Sequence, residues 1–192
     1  MGLESAAREL YGLLPGQFVA ARTATARAAA QNGDKELARQ VKALPKPPAA
    51  AWLVDMLAVH RRDEVDEVIR LGRAISEAQE QLDLEQLRQL GGQRRRLRAA
   101  VAEAGRGLAA ELGQPVSAAA LAEVEQTLHA AMADPDAAAA VVSGLLTGPL
   151  SSNGIDPVEL EGKVAVPGAA GAPPAPGSRK RQVVHELARR RA

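Results

Sequence analysis

Only three aromatic side chains, Tyr11, Phe18 and Trp52, are spread over 192 residues, and this scarcity of rings limits the chain more than any motif it carries. Sheet sandwiches and barrels are filled with aromatic and β-branched side chains. Here Ala occurs 41 times, and Ala, Leu, Arg and Glu are among the strongest helix formers. Leu, Ile, Val and Phe together number 43, about 22% of the chain, which lies just above the composition at which chains stop making cores. The expected fold class is therefore all-α: a multi-helix antiparallel bundle of α-hairpins over residues 3–146, with one long heptad-bearing helix.

The spacing of apolar residues and the helix punctuation divide that bundle. Residues 3–12 read as a short helix, and Pro15 suits the first position of a second, ending near Ala30. Phe18, Val19, Ala21, Thr25, Ala26 and Ala29 trace one face of it, and Asn32-Gly33 follows as a left-handed cap. Asp34 caps a third helix to about Ala43. The prolines of Leu44-Pro45-Lys46-Pro47-Pro48 remove donors and bar the α region to the residues before them, making a rigid elbow. Trp52, Leu53, Met56, Leu57 and Val59 then form a wide apolar stripe, the best core candidate in the chain. Asp63 is expected to cap the next helix, with Glu64, Asp66 and Glu67 at the positive end of its dipole and Val65, Val68, Ile69, Gly72 and Ile75 facing inward.

From Asp83 to Leu112 the sequence predicts one helix of about 45 Å at 1.5 Å per residue. Leu87, Leu90, Arg94, Leu97, Val101, Ala104 and Leu108 are spaced alternately three and four, a heptad seam with a charged intruder. Arg94 must either snorkel outward or meet a carboxylate on a facing helix. Gly91-Gly92 is the weak point, costing about 1 kcal/mol per glycine relative to alanine. Gly113, Pro115 and Ser117 separate this helix from another with Leu121, Val124, Leu128 and Met132 inside, and Asp134-Pro135 starts a last one to about Leu146.

Six prolines and six glycines in residues 147–178 mark a disordered Pro/Gly linker, within which 155–166 could dock through Ile155, Val158, Leu160, Val164 and Val166. Residues 179–192 hold six Lys or Arg against one acid. Arg179, Lys180, Arg181, Arg189, Arg190 and Arg191 flank Val183, Val184 and Leu187, which reads as a basic amphipathic helix or the start of a coiled coil. Such a helix can contact nucleic-acid phosphates or an anionic surface.

The chemistry available to the chain is limited. No cysteine is present, which removes disulfides, thiolate metal sites and thiol nucleophiles together. The imidazoles are His60, His129 and His185. Glu125 and His129, four apart, could supply two metal ligands, although a surface i, i+4 pair has the same spacing. His60, beside Arg61 and Arg62 at a helix C-terminus, is explained by the dipole. No Gly-x-Ser-x-Gly turn or phosphate loop occurs, and Gly162-Lys163 is followed by Val164 where such a loop has Ser or Thr. Of the four guanidinium groups in Gln93-Arg94-Arg95-Arg96-Leu97-Arg98, only Arg95 and Arg98 are close neighbours on one face, since successive residues turn by 100°. No catalytic residue, cofactor or metal is expected. With no secretory pattern and no stretch near the ~20 apolar residues of a membrane span, a cytoplasmic location is expected.

The run from Leu44 to Ala58, together with Leu10-Tyr11 and Phe18-Val19-Ala20-Ala21-Arg22, resembles an uncharacterised family of helical proteins from GC-rich bacterial genomes. The resemblance implies an N-terminal helical region, a stretch like Leu146-Thr147-Gly148-Pro149-Leu150-Ser151, a Pro/Ala linker and a charged C-terminal helix. It implies no activity. Asp55 stands where that pattern has Asn. The functional expectation is a non-enzymatic interaction or scaffold protein with a helical protein partner, itself or another; the alternative is a nucleic-acid-associated protein using the tail from Arg179 to Arg191.

Overall fold

The computed structural model describes residues 2–169. Among them every regular element is an α-helix: α1 (Leu3–Tyr11), α2 (Pro15–Gln31), α3 (Lys35–Ala43), α4 (Ala49–His60), α5 (Arg62–Glu80), α6 (Leu84–Glu111), α7 (Ala118–Ala133) and α8 (Pro135–Ser143). No strand occurs among these residues, and no helix is long and apolar enough to cross a membrane.

Short polar side chains start four of the helices, each satisfying donors that the first turn leaves unpaired. Asp34 accepts from the Leu37 amide at 2.9 Å, Asp83 from Gln86 at 2.9 Å, Ser117 from Ala120 at 3.1 Å, and Asp134 from Asp136 and Ala137 at 2.7 and 3.2 Å. The expected cap at Asp63 is not formed. Arg61 both ends α4 and precedes α5, so the chain turns within one residue and Asp63 already lies inside the first turn.

Helix α4 is the axis of the molecule. Every residue from Ala50 to Ala58 is buried, which makes this a helix surrounded on all sides rather than one with a single apolar stripe. One core cluster packs α4 with α5, α6, α7 and α8; a second joins α1, α2 and α3. Val19 departs from the expected inner face of α2 and is 46% exposed, while Phe18 and Ala29 are buried. Between the clusters the proline elbow is held from the N-terminal side. Tyr11 donates its hydroxyl to the Pro45 carbonyl at 2.6 Å, Arg22 donates to Leu44 at 2.6 Å, and the Trp52 indole N–H reaches back to Leu13 at 3.0 Å. The Tyr11 and Phe18 rings meet edge to face at 5.2 Å, with the Arg22 guanidinium over Phe18. Burial, and secondarily the charge of Asp55, push the Tyr11 hydroxyl above the usual phenol range, against the opposing pull of Arg22.

Helix α8 stops at Ser143, three residues earlier than its apolar pattern suggests, because Gly144 takes the left-handed conformation at φ +65. The chain beyond it is a strap. Leu145 enters the N-terminal cluster and Leu146 the central one, so neighbouring residues join both cores. An antiparallel bridge pairs Leu146 with Val164, through Thr147 N–H to Lys163 at 2.9 Å and Ala165 N–H to Leu145 at 2.8 Å. Within residues 147–169, read from composition as linker with a piece at 155–166 able to dock, Leu150, Val158 and Ala169 are buried against the helices and Leu160, Val164 and Val166 partly so, while residues 153–157 are exposed. Ile155 is the exception among the expected docking residues, at 88% exposure. The rest of the linker and the basic segment 179–192 lie outside the described residues.

Every fully buried polar side chain among the described residues holds this strap or its start. Ser143 Oγ accepts from the Leu145 amide at 3.2 Å, Asp55 Oδ1 from Leu146 at 2.9 Å and Thr127 Oγ1 from Leu150 at 3.0 Å. Asp134 adds a fourth hold, accepting from Val158 at 2.9 Å.

Helix α6 is unbroken at Gly91-Gly92, and the glycine on which packing depends most lies on α5. A Cβ on Gly72 of α5 would sit 2.5 Å from the Met132 carbonyl oxygen of α7, so that crossing admits hydrogen alone; a Cβ on Gly91 would meet nothing within 4 Å. Gly91→Ala should therefore raise stability by about 1 kcal/mol through helix propensity. Gly72→Ala should lower it by about 1–3 kcal/mol through overpacking against backbone. Urea unfolding of the two variants checks both signs.

Candidate functional site

The heptad seam of α6 is used only in part. Val101, Ala102, Gly105, Leu108 and Ala109 are buried, whereas no residue between Leu84 and Ala100 is, although Leu84, Leu87, Leu90 and Leu97 lie there. The reason is the length of the neighbours. Helix α5 crosses α7 at Gly72 and Met132, one residue before α7 ends, and residues 73–80 then continue for about 12 Å at 1.5 Å per residue. The α5–α6 hairpin overhangs the rest of the fold.

At its tip, Leu82 is left-handed at φ +54, the one non-glycine residue with positive φ among those described. Its amide donates to Gln79 at 3.2 Å and that of Asp83 to Ala78 at 3.0 Å, closing the helix end as a glycine would normally do. Leu82 is 81% exposed and Leu84 71%. Below the tip, Leu71, Ala74, Leu90, Leu97 and Ala100 line an open cleft of about 670 Å³ between α5 and α6, with Glu67, Arg70 and Arg96 at its rim. The opposite side of α5 borders a second cleft of about 960 Å³ against the α7–α8 corner. Its floor includes Met132, Ala138 and Val142, and its charged wall carries Arg62, paired with Asp66 at 2.9 Å.

Arg94, the intruder in the seam, pairs with no carboxylate among the described residues. Arg94 and Arg98 lie one turn apart on α6, and both guanidinium groups act electrostatically on His129 of α7. Their Nε atoms and His129 Nδ1 are buried and unpaired, and no side-chain hydrogen bond or ion pair joins the three residues to any described residue. Burial first, then Arg98 and Arg94, lower the His129 pKa below its ordinary value of 6.5. Glu125, one turn back on α7, is partly exposed. No group of three or more His, Asp or Glu side chains suited to a metal ion occurs among the described residues. The expected phosphate-contact residues Arg179, Lys180, Arg181, Arg189, Arg190 and Arg191 lie outside the described part. No protein-family model, curated protein or solved structure matches the chain.

The lowered His129 pKa has a definite sign in stability. As pH falls through about 6.5 the unfolded chain takes up this proton before the folded one does. The folded state is thus unaffected by this group above that pH and loses stability below it. His129→Gln removes the effect, so the loss of unfolding free energy between pH 7.5 and 5.5 should be smaller in the variant than in the wild type. Urea titrations at both pH values measure it, and equal losses would show that His129 titrates normally.

Proposed function

We propose that this protein is a non-enzymatic helical interaction protein that engages a protein partner through its overhanging α5–α6 hairpin. The observation that carries the reading is Leu82: a large apolar side chain held in a left-handed backbone conformation and turned to solvent, where glycine would cost less. A left-handed non-glycine residue stores about 1–2 kcal/mol, and such strain collects at functional positions. Leu84 extends the apolar tip, and a separate open cleft lies between α5 and α6 further down the hairpin. An amphipathic helix of the partner would lay leucine-spaced residues into that cleft, the helix-in-groove mode in which residues at i, i+3 and i+7 act as anchors.

Leu82→Gly separates this role from folding. It relieves the backbone strain and removes an exposed side chain, so stability should rise by about 1 kcal/mol. Site-specific photo-crosslinking from position 84 in the host cell should give a discrete protein adduct in the wild type and at least a tenfold weaker one with Leu82→Gly. An undiminished adduct in the stabilised variant, or none in the wild type, would refute the proposal.

A further inference from the structure

The larger cleft, between α5 and the α7–α8 corner, has the make-up of a docking groove. Ile69 of α5, Met132 of α7 and Ala138 and Val142 of α8 give it an apolar floor. Five carboxylates stand around that floor against three guanidinium groups, a net charge of −2. Two of the five are engaged: Asp66 pairs with Arg62 at 2.9 Å, and Asp134 accepts the first amides of α8 and the amide of Val158. The other three, Asp63, Glu77 and Glu80, are exposed and pair with no cation among the described residues. The α5–α6 cleft is the opposite case, with Arg70 and Arg96 against Glu67 at its rim. A segment both basic and apolar is drawn to the first cleft and repelled by the second.

We infer that the larger cleft is the docking groove for this chain's own residues 179–192. That segment sets Val183, Val184 and Leu187 between Arg179-Lys180-Arg181 and Arg189-Arg190-Arg191, an apolar centre between two basic triplets. It holds six Lys or Arg against one acid, a net +5, while residues 1–178 hold 18 against 22, a net −4. The groove has the same order of parts. Asp63 lies in the first turn of α5 and Glu77 and Glu80 in its last, so its unpaired carboxylates stand about 21–26 Å apart on either side of the apolar floor. The triplets are centred ten residues apart, a separation that covers about 15 Å of helix or about 33 Å of extended chain and so brackets the groove. The tether reaches it. Val142 lines the cleft three residues before Leu145, whose carbonyl accepts from Ala165 at 2.8 Å, and Ala169 follows four residues later. From there the nine residues 170–178 can span up to about 30 Å.

The chain has no cysteine, so Gln182→Cys gives one site for a nitroxide label, and it has three methionines, so the Met132 methyl resonance is assigned with Met132→Leu. The full chain is then read by methyl NMR with the label oxidised and reduced. At about 50 mM salt, where charge attraction is only partly screened, the oxidised label should weaken the Met132 signal at least about fivefold, and at about 1 M salt the signal should return. Dilution should leave the weakening unchanged, because a tethered contact does not depend on protein concentration. Arg189→Glu, Arg190→Glu and Arg191→Glu together should restore the signal, and adding Glu77→Arg with Glu80→Arg should weaken it again; cations suit the C-terminal turn of α5, so the swap keeps the helix. An equal Met132 signal in both label states, a weakening that fades on dilution and so comes from a second copy, or one indifferent to charge reversal would overturn the inference.

Discussion

Three buried oxygen atoms hold the fold together where its helices end. Ser143, Asp55 and Thr127 lie on α8, α4 and α7, and each accepts one backbone amide of the segment that follows α8. A buried amide without an acceptor costs about 1–3 kcal/mol, so an extended segment can lie against an apolar core only where such acceptors wait for it. Asp55 is the extreme case, a carboxylate with no solvent exposure in the middle of the central helix. The Leu145 and Leu146 side chains, placed by these bonds, enter different core clusters and tie the N-terminal helices to the rest.

With so few rings, the interior is built by close approach instead of bulk. Alanines line α4, α7 and α8, and glycines sit where helices cross: Gly72 against the Met132 backbone, and Gly105 where a Cβ would come within 3.2 Å of Leu57. Trp52 is the large exception, and its indole N–H is spent on the Leu13 carbonyl. A core of this kind is close-packed but thin, so it covers only as much of a long hairpin as the neighbouring helices reach. That leaves the leucines of the first half of α6 outside the buried core and places Arg94 and Arg98 at its rim.

Much of the helical layout was legible from local chemistry. The caps at Asp34, Ser117 and Asp134, the proline elbow and the continuous helix from Leu84 to Glu111 all follow from residues within a few positions of one another. The strap was not legible, since its amides are satisfied by side chains such as Asp55, 91 positions away from Leu146. Proline and glycine content describes the unfolded tendencies of a segment and is silent on acceptors elsewhere. The same limit hid the cluster around His129. Arg94 was visible as a charge in an apolar seam, but only the register of α6 against α7 brings it and Arg98 near enough to His129 to act on its charge. Leu82 carried no signal at all, because nothing in the run Gln81-Leu82-Asp83 marks a left-handed residue.

Amide hydrogen exchange tests the central claim most directly, since it reports whether backbone donors are held by buried acceptors. The Leu145, Leu146 and Leu150 amides should exchange as slowly as those in the middle of α4, opening only with the whole molecule. Exchange at the rate of exposed chain at these three positions, with α4 still protected, would contradict the account.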